Sequence, residues 1–166
     1  MKRLTTLPPV RLLIVEDELG DARLMQLAIR RNGFAVETCV AADAHEVLRY
    51  LRRESPRWPA AVRPDLILLD LRMPGQGGLE FLALLKQVEE LRPIPVVVVT
   101  TSLLEADVRA AYQLGAAGYM QKPADLGEFI EAVRILGEYW FKLVRLPRPE
   151  PGAADDDRSS ALPAKL

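Results

Sequence analysis

Cysteine and histidine are nearly missing from this chain of 166 residues, which holds one of each, Cys39 and His45. A lone thiol cannot close an internal disulfide, and without a cysteine or histidine cluster no zinc-type ligand set is available. Cys39 therefore reads as a small buried thiol on a strand. Charge of one sign is also missing: 22 basic and 23 acidic residues leave a net charge of -1. With no cationic surplus, nucleic acid is excluded as a direct partner. No run approaches the ~18 apolar residues of a membrane span, and the opening MKRLTTLPPV lacks the apolar segment of a signal peptide. The expectation is a cytoplasmic protein of a reducing compartment. At 49% hydrophobic residues it can bury one substantial core but is too short for two ordinary domains.

What is present is a regular alternation of short apolar runs and amphipathic stretches. Arg11 to Val15 predicts a strand. Asp21 to Asn32 predicts a helix, with Ala22, Met25 and Ile29, or else Leu24, Leu27 and Ala28, toward the core and Asn32-Gly33 as the stop. Phe34 to Val40 is a second strand. Asp43 and Glu46 make a capping-box pair ahead of Val47, Leu48 and Leu51, so a second helix runs to about Glu54. SPRWPAAVRP, residues 55–64, holds three prolines and is a loop, with Trp58 packing it onto the surface. Asp65 to Leu69 is a third strand, apolar without interruption, as suits a strand covered on both faces.

The second half repeats the pattern. Gly78 opens a helix with Phe81, Leu82, Leu85 and Val88 inward, and Ile94 to Val99 is a fourth strand. Ser102 and Glu105 read as a capping box before Val108, Ala111 and Tyr112, with Gly115 ending that helix. Ala117 to Met120 is a short fifth strand. A last helix starts at Asp125, pairs it with Glu128, and continues through Phe129, Ile130, Val133, Leu136 and Trp140 to Val144. Strands alternating with helices imply an α/β fold: a doubly wound parallel sheet with helices on both faces.

Against this frame the run VRLLIVEDELG, residues 10–20, poses a problem, because an apolar strand ends on Glu16, Asp17 and Glu18. Like charges at a strand end raise one another's pKa unless a cation joins them. Asp70 ends the third strand, Thr100 ends the fourth and Lys122 follows the fifth. In strand order 2-1-3-4-5 the crevice where order reverses lies between strands one and three, so Glu16, Asp17 and Asp70 converge there. A small, partly solvated set of carboxylates suits Mg²⁺. A carboxylate can also attack phosphorus, and phosphoryl transfer then needs mainly positioning and charge neutralisation. Asp70 stands alone before a glycine-rich loop and is the better nucleophile candidate. Lys122 supplies a cation and Thr100 a neutral donor. Taken singly, each of these residues also reads as a solvated charge at a strand end.

Together the motifs resemble the receiver domain of two-component response regulators. The resemblance covers about residues 10–144 and rests on VED at 15–17, DLRMPGQGG at 70–78, VVTTS at 98–102 and GYMQKP at 118–123. It implies a flavodoxin-like (βα)5 sheet of order 2-1-3-4-5 with Asp70 as phosphoacceptor. Glu16 and Asp17 become the acidic metal pair, and Arg72 lends a backbone carbonyl to Mg²⁺. It makes Thr100 and Tyr119 a switch pair, Lys122 the phosphoryl-binding lysine, and Lys122-Pro123 a cis bond. A sensor histidine kinase is then the partner, and the chain is a phosphoacceptor rather than a turnover enzyme. EDELGD at 16–21, TTS at 100–102 and the chain's ending look like the single-domain regulators paired with bacterial phytochromes, which form homodimers.

Departures from the family pattern are few. Gly77 stands where an acid is common, and Arg72 and Ser102 sit where the family tunes dephosphorylation. His45 falls inside the second helix, away from the acids, and reads as an exposed helix residue rather than a phosphohistidine. The organisation expected is an extension at 1–9, a receiver domain at 10–145 and a proline-rich tail at 146–166, too poor in apolar residues to order itself, with no output domain. The AADDDR run at 153–158 reads as solvated tail. Tyr139, Trp140 and Phe141 are consecutive and cannot all face one core, so they are the candidate dimer interface. Two other classes compete: a dehalogenase-type phosphatase, which needs an acid where Arg72 stands, and an unphosphorylated scaffold, which usually loses a site residue.

Overall fold

Successive residues of a strand point to opposite faces, and here that alternation feeds two cores. In the computed structural model, which describes residues 8–51 and 63–148, the apolar runs form β1 (Val10–Val15), β2 (Val36–Ala41), β3 (Leu66–Leu69), β4 (Val96–Thr100) and β5 (Gly118–Gln121). All pair in parallel in the order β2-β1-β3-β4-β5. Leu13, Val15, Ile67, Leu69, Val96 and Val98 enter one core. There they meet Val47 of α2 (Ala44–Leu51), Phe81, Leu82 and Leu85 of α3 (Gly78–Gln87) and Ala111 of α4 (Glu105–Gln113). Leu12, Ile14, Leu66, Leu68, Val97 and Val99 enter the other. Their partners are Met25, Ala28 and Ile29 of α1 (Leu19–Arg31) and Phe129, Val133 and Leu136 of α5 (Leu126–Gly137). Each such fully buried aliphatic side chain contributes about 1.5–3 kcal/mol, which makes the central strands the rigid part of the molecule.

Helix ends follow the capping residues where those residues are free to cap. Asp43 accepts from the Glu46 N–H at 2.7 Å, and Glu46 in turn accepts from the Ala42 N–H. Asp125 accepts from the Glu128 N–H at 2.9 Å. Gly33 and Gly115, with φ of 67° and 92°, take the left-handed conformation that ends α1 and α4. α1 starts at Leu19, two residues before the acid expected to open it, and buries Ala22, Met25, Ala28 and Ile29. The Ser102 and Glu105 box does not form. Leu104 takes the N-cap position with no side-chain bond, because the buried Ser102 hydroxyl donates to Asp107 instead. α4 buries only Ala111, and Tyr112 faces solvent. The end of the second helix beyond Leu51, Trp58, the first seven residues and the 153–158 acidic run lie outside the described residues.

The last helix is not α-helical to Val144 as expected. α5 stops at Gly137 and widens into a π-helical stretch, Glu138–Leu143. A Cβ on Gly137 would come within 2.2 Å of the Phe34 ring, so the missing side chain is what lets Phe34 lie against the helix. The widened turn brings Phe141 edge-on to Phe34, ring centres 5.3 Å apart at 68°, with Lys142 Nζ 5.1 Å above the same ring. Order also extends past the expected tail boundary at 146. Arg148 donates to the Pro8 carbonyl at 3.1 Å and lies 3.8 Å from Asp65. Asp65 is buried and accepts from the Arg11 N–H at 2.9 Å, so Arg148 gives a counter-charge to a carboxylate that water does not reach.

Gly78 fixes how closely α3 approaches the end of β3. A Cβ there would sit 2.5 Å from the Asp70 carbonyl oxygen and 2.6 Å from the Leu71 Cα, both backbone atoms that cannot swing aside. Gly78→Ala is expected to cost about 1–3 kcal/mol in urea unfolding, against the gain of up to ~1 kcal/mol that a helical Gly→Ala exchange brings where space allows. An unchanged or raised unfolding midpoint would show that α3 and the Asp70 loop are not packed this tightly.

Candidate functional site

Three hydrogen bonds carry the sheet ladder one residue beyond its strands and set the site. The N–H of Glu16 donates to Ala41 O at 2.9 Å, that of Asp70 to Val15 O at 3.0 Å, and that of Lys122 to Thr100 O at 2.8 Å. The side chains that follow β1, β3 and β5 are thereby aimed into one crevice at the carboxyl edge. Lys122 Nζ donates to Glu16, to Asp21 Oδ2 at 2.9 Å and to Asp70 Oδ2 at 3.2 Å. Glu16, Asp70 and Lys122 are all buried, while Asp17 is exposed at the mouth. One carboxylate oxygen from each of Glu16, Asp17 and Asp70 lies within 4.8 Å of the others.

Burial works against the charges of Glu16 and Lys122. It pushes the Glu16 carboxyl up to about 7, and the neighbouring Asp70 adds to the rise, against the pull of Lys122. For Lys122 burial is outweighed by the bonds to Asp21 and Glu16, so the ammonium is held more firmly than a free lysine. Acids that crowd at this range need more positive charge than one lysine supplies. The all-oxygen donor set, part buried and part solvated, fits a hard divalent cation such as Mg²⁺.

Of the remaining sequence candidates, Thr100 is fully buried at the end of β4, and its Oγ1 accepts weakly from the Ser102 N–H at 3.4 Å. Tyr119 donates its hydroxyl to the Ser102 carbonyl at 3.1 Å, next to the loop that follows Thr100, and burial raises its phenol pKa. Arg72 is exposed and its N–H donates to Asp70 Oδ1 at 3.1 Å. The Lys122-Pro123 bond is trans, not cis, and no cis peptide occurs among the described residues. The trans form is the lower by about 0.5–1 kcal/mol for an X-Pro bond, and nothing in the Lys122 contacts requires the other. His45 is exposed on α2. Of the aromatic trio only Tyr139 faces solvent, since Trp140 and Phe141 pack partly against the α1–α5 core. Asp21 joins the site without a sequence signal of its own, because in the first turn of α1 an acid is ordinary.

A parallel sheet of this order, with acids and a lysine converging at its switch point, defines a doubly wound α/β domain that binds its ligand at the carboxyl edge. Residues 12–134 match the response regulator receiver domain, and the chain belongs to that family. Response regulator Rcp1 of Synechocystis sp. is 36% identical over 140 residues, covering 84% of this chain and 95% of Rcp1. The solved Mn²⁺-bound form of Rcp1 covers 84% of this chain and 100% of its own, with a TM-score of 0.77. The phosphorylated cyanobacterial phytochrome response regulator RcpA is 37% identical, covers 84% of this chain and 99% of its own, and gives a TM-score of 0.78.

A divalent cation held by Glu16, Asp17 and Asp70 would bind the folded chain alone, so millimolar Mg²⁺ should raise Tm, and Asp17→Ala should remove most of that rise. The rise also depends on pH. A Glu16 carboxyl moved from 4.5 to about 7 takes up protons more readily in the folded chain, so metal-free stability falls as pH climbs through that window. Proton and cation compete for Glu16, and the Mg²⁺-induced rise is expected to be larger at pH 8 than at pH 6. An equal rise in Asp17→Ala would place the cation elsewhere.

Proposed function

We propose that this chain is a response-regulator phosphoacceptor that receives a phosphoryl group on Asp70 from a sensor histidine kinase and signals by protein contact. The observation that carries the reading is the setting of Asp70: buried at the end of β3, 3.2 Å from Lys122 and inside an acid group that fits Mg²⁺. Asp70 Oδ forms a bond to phosphorus as the bond from phosphorus to the donor's imidazole nitrogen breaks, the electron pair leaving with the imidazole. Lys122 donates to the phosphoryl oxygens, and Thr100 and Tyr119 respond as the switch pair. Glu16, Asp17, Asp70 and the Arg72 carbonyl would hold Mg²⁺, which when bound neutralises the developing negative charge. RcpA, named a phytochrome response regulator and solved phosphorylated, supports a bacterial phytochrome as the kinase. The balanced net charge supports a protein target over nucleic acid. Incubation with acetyl phosphate and Mg²⁺ should add the mass of one phosphoryl group, and Asp70→Asn should abolish it. Stoichiometric labelling of Asp70→Asn would refute the assignment.

The reading includes a homodimer through the last helix. Ile135, Tyr139 and Leu143 are 58%, 49% and 75% exposed and line one shallow cleft with Glu138 and Lys142, so the apolar contact centres on Tyr139 rather than on all three aromatics. Trp140 and Phe141 support it from behind. Sedimentation of unphosphorylated protein across a micromolar dilution series should give a dimer. Tyr139→Asp with Leu143→Asp should give a monomer that still melts cooperatively. A wild-type monomer at every concentration would exclude the dimer.

A further inference from the structure

Lysine has three N–H donors, and in this structure Lys122 spends all three on carboxylates. Two of its partners have other tasks in the proposed reaction. Asp70 is the nucleophile, and Glu16 belongs with Asp17 and Asp70 to the acid group that fits the metal. Asp21 belongs to neither set: it lies outside that group, yet its Oδ2 is 2.9 Å from Nζ of a lysine 101 residues away in sequence. The plain alternative is a solvated first-turn acid that favours the helix dipole. Such a residue would have no reason to reach a buried ammonium, whereas this side chain, 42% exposed at its outer edge, does.

We infer that Asp21 is the positioning residue for Lys122, holding its ammonium toward Asp70 while the lysine's other bonds are exchanged during phosphoryl transfer. The inference rests on Asp70 being the phosphoacceptor. With acetyl phosphate as donor, Asp70 Oδ bonds to phosphorus as the bond from phosphorus to the acetyl oxygen breaks, and acetate leaves with the electron pair. The Nζ donor that served Asp70 then passes to a phosphoryl oxygen. Without Asp21, Nζ keeps two partners, Glu16 and Asp70, and the contact to Glu16 is the shorter. The lysine would drift toward Glu16 and away from the transferring group. Among the described residues the side-chain partner of Asp21 is Lys122, so its loss is expected to act through that lysine.

The experiment follows mass gain of the full chain with acetyl phosphate at saturating Mg²⁺, for wild type, Asp21→Ala, Asp21→Asn, Asp21→Glu and Lys122→Ala. Losing one charge-assisted bond to the lysine is expected to slow labelling about tenfold in Asp21→Ala. Asp21→Asn should fall between that variant and wild type, and Asp21→Glu should recover most of the rate, a rescue that a purely structural role for the first turn would not require. The Mg²⁺-induced rise in Tm should match wild type in all three Asp21 variants, which shows the fold and the acid group intact. Wild-type or faster labelling of both Asp21→Ala and Asp21→Asn, alongside a slow Lys122→Ala, would overturn the positioning role and leave the phosphoacceptor reading standing. Absence of labelling in wild type would overturn that reading and this inference with it.

Discussion

One buried ammonium holds the site together. Lys122 Nζ meets carboxylates carried by the end of β1, the first turn of α1 and the end of β3, so the β1–α1 junction, the end of β3 and the segment after β5 are tied through a single charge. At an effective dielectric constant of ~20 two unit charges 4 Å apart attract by about 4 kcal/mol before the cost of desolvation, and by less at Asp21, whose side chain is partly exposed. The same surroundings make an unpaired charge there cost about 3–5 kcal/mol. The acids are mutually repulsive without the lysine, and the lysine is insupportable without the acids. The order β2-β1-β3-β4-β5 is the arrangement that lets them meet, since it seats β3 between β1 and β4 with β5 one strand further, all ending at one edge.

Most of the site could be read from the chain because its signals are local, whereas the strand order followed from the family resemblance. Nearly unbroken valine and leucine runs mark β1 and β3 as strands covered on both faces, and each run stops at the residue whose side chain enters the crevice, Glu16 or Asp70. Strand length and strand end are therefore the same signal. Caps at Asp43 and Asp125 were legible for a similar reason, because a capping box is completed within four residues and needs nothing from the rest of the fold.

What escaped sequence reading depends on partners outside the motif that carries the signal. Ser102 carries a capping signature, but a buried hydroxyl bonds whatever acceptor the fold supplies, and here Asp107 lies closer than the helix end. The π-helical turn begins where Phe34 occupies the space beside Gly137, and no periodicity within residues 125–144 contains that contact. Phe141 is drawn inward by the same ring, which leaves Tyr139 as the exposed member of the trio. Asp21 is the clearest case. Its type and place suit any helix start, and only the arrival of Lys122 from the other half of the chain distinguishes it.

β3 ends in a buried acid on both sides, Asp65 before it and Asp70 after it, with Leu66–Leu69 wholly buried between. Both acids are partnered by cations that flank the last helix. Lys122 precedes α5 and reaches Asp70, while Arg148 follows the π-helical turn and lies beside Asp65. The two attachments are unequal. The Lys122 contact is short and shielded from water, whereas Arg148 stands 3.8 Å away with its side chain a third exposed, so solvent screens it more. The last helix is thus held firmly at its start, by the group that also faces the proposed phosphoacceptor, and more loosely at its end. The element that carries Ile135, Tyr139 and Leu143 is anchored beside Asp70 at its start and beside Asp65 at its end, the first contact buried and the second open to solvent.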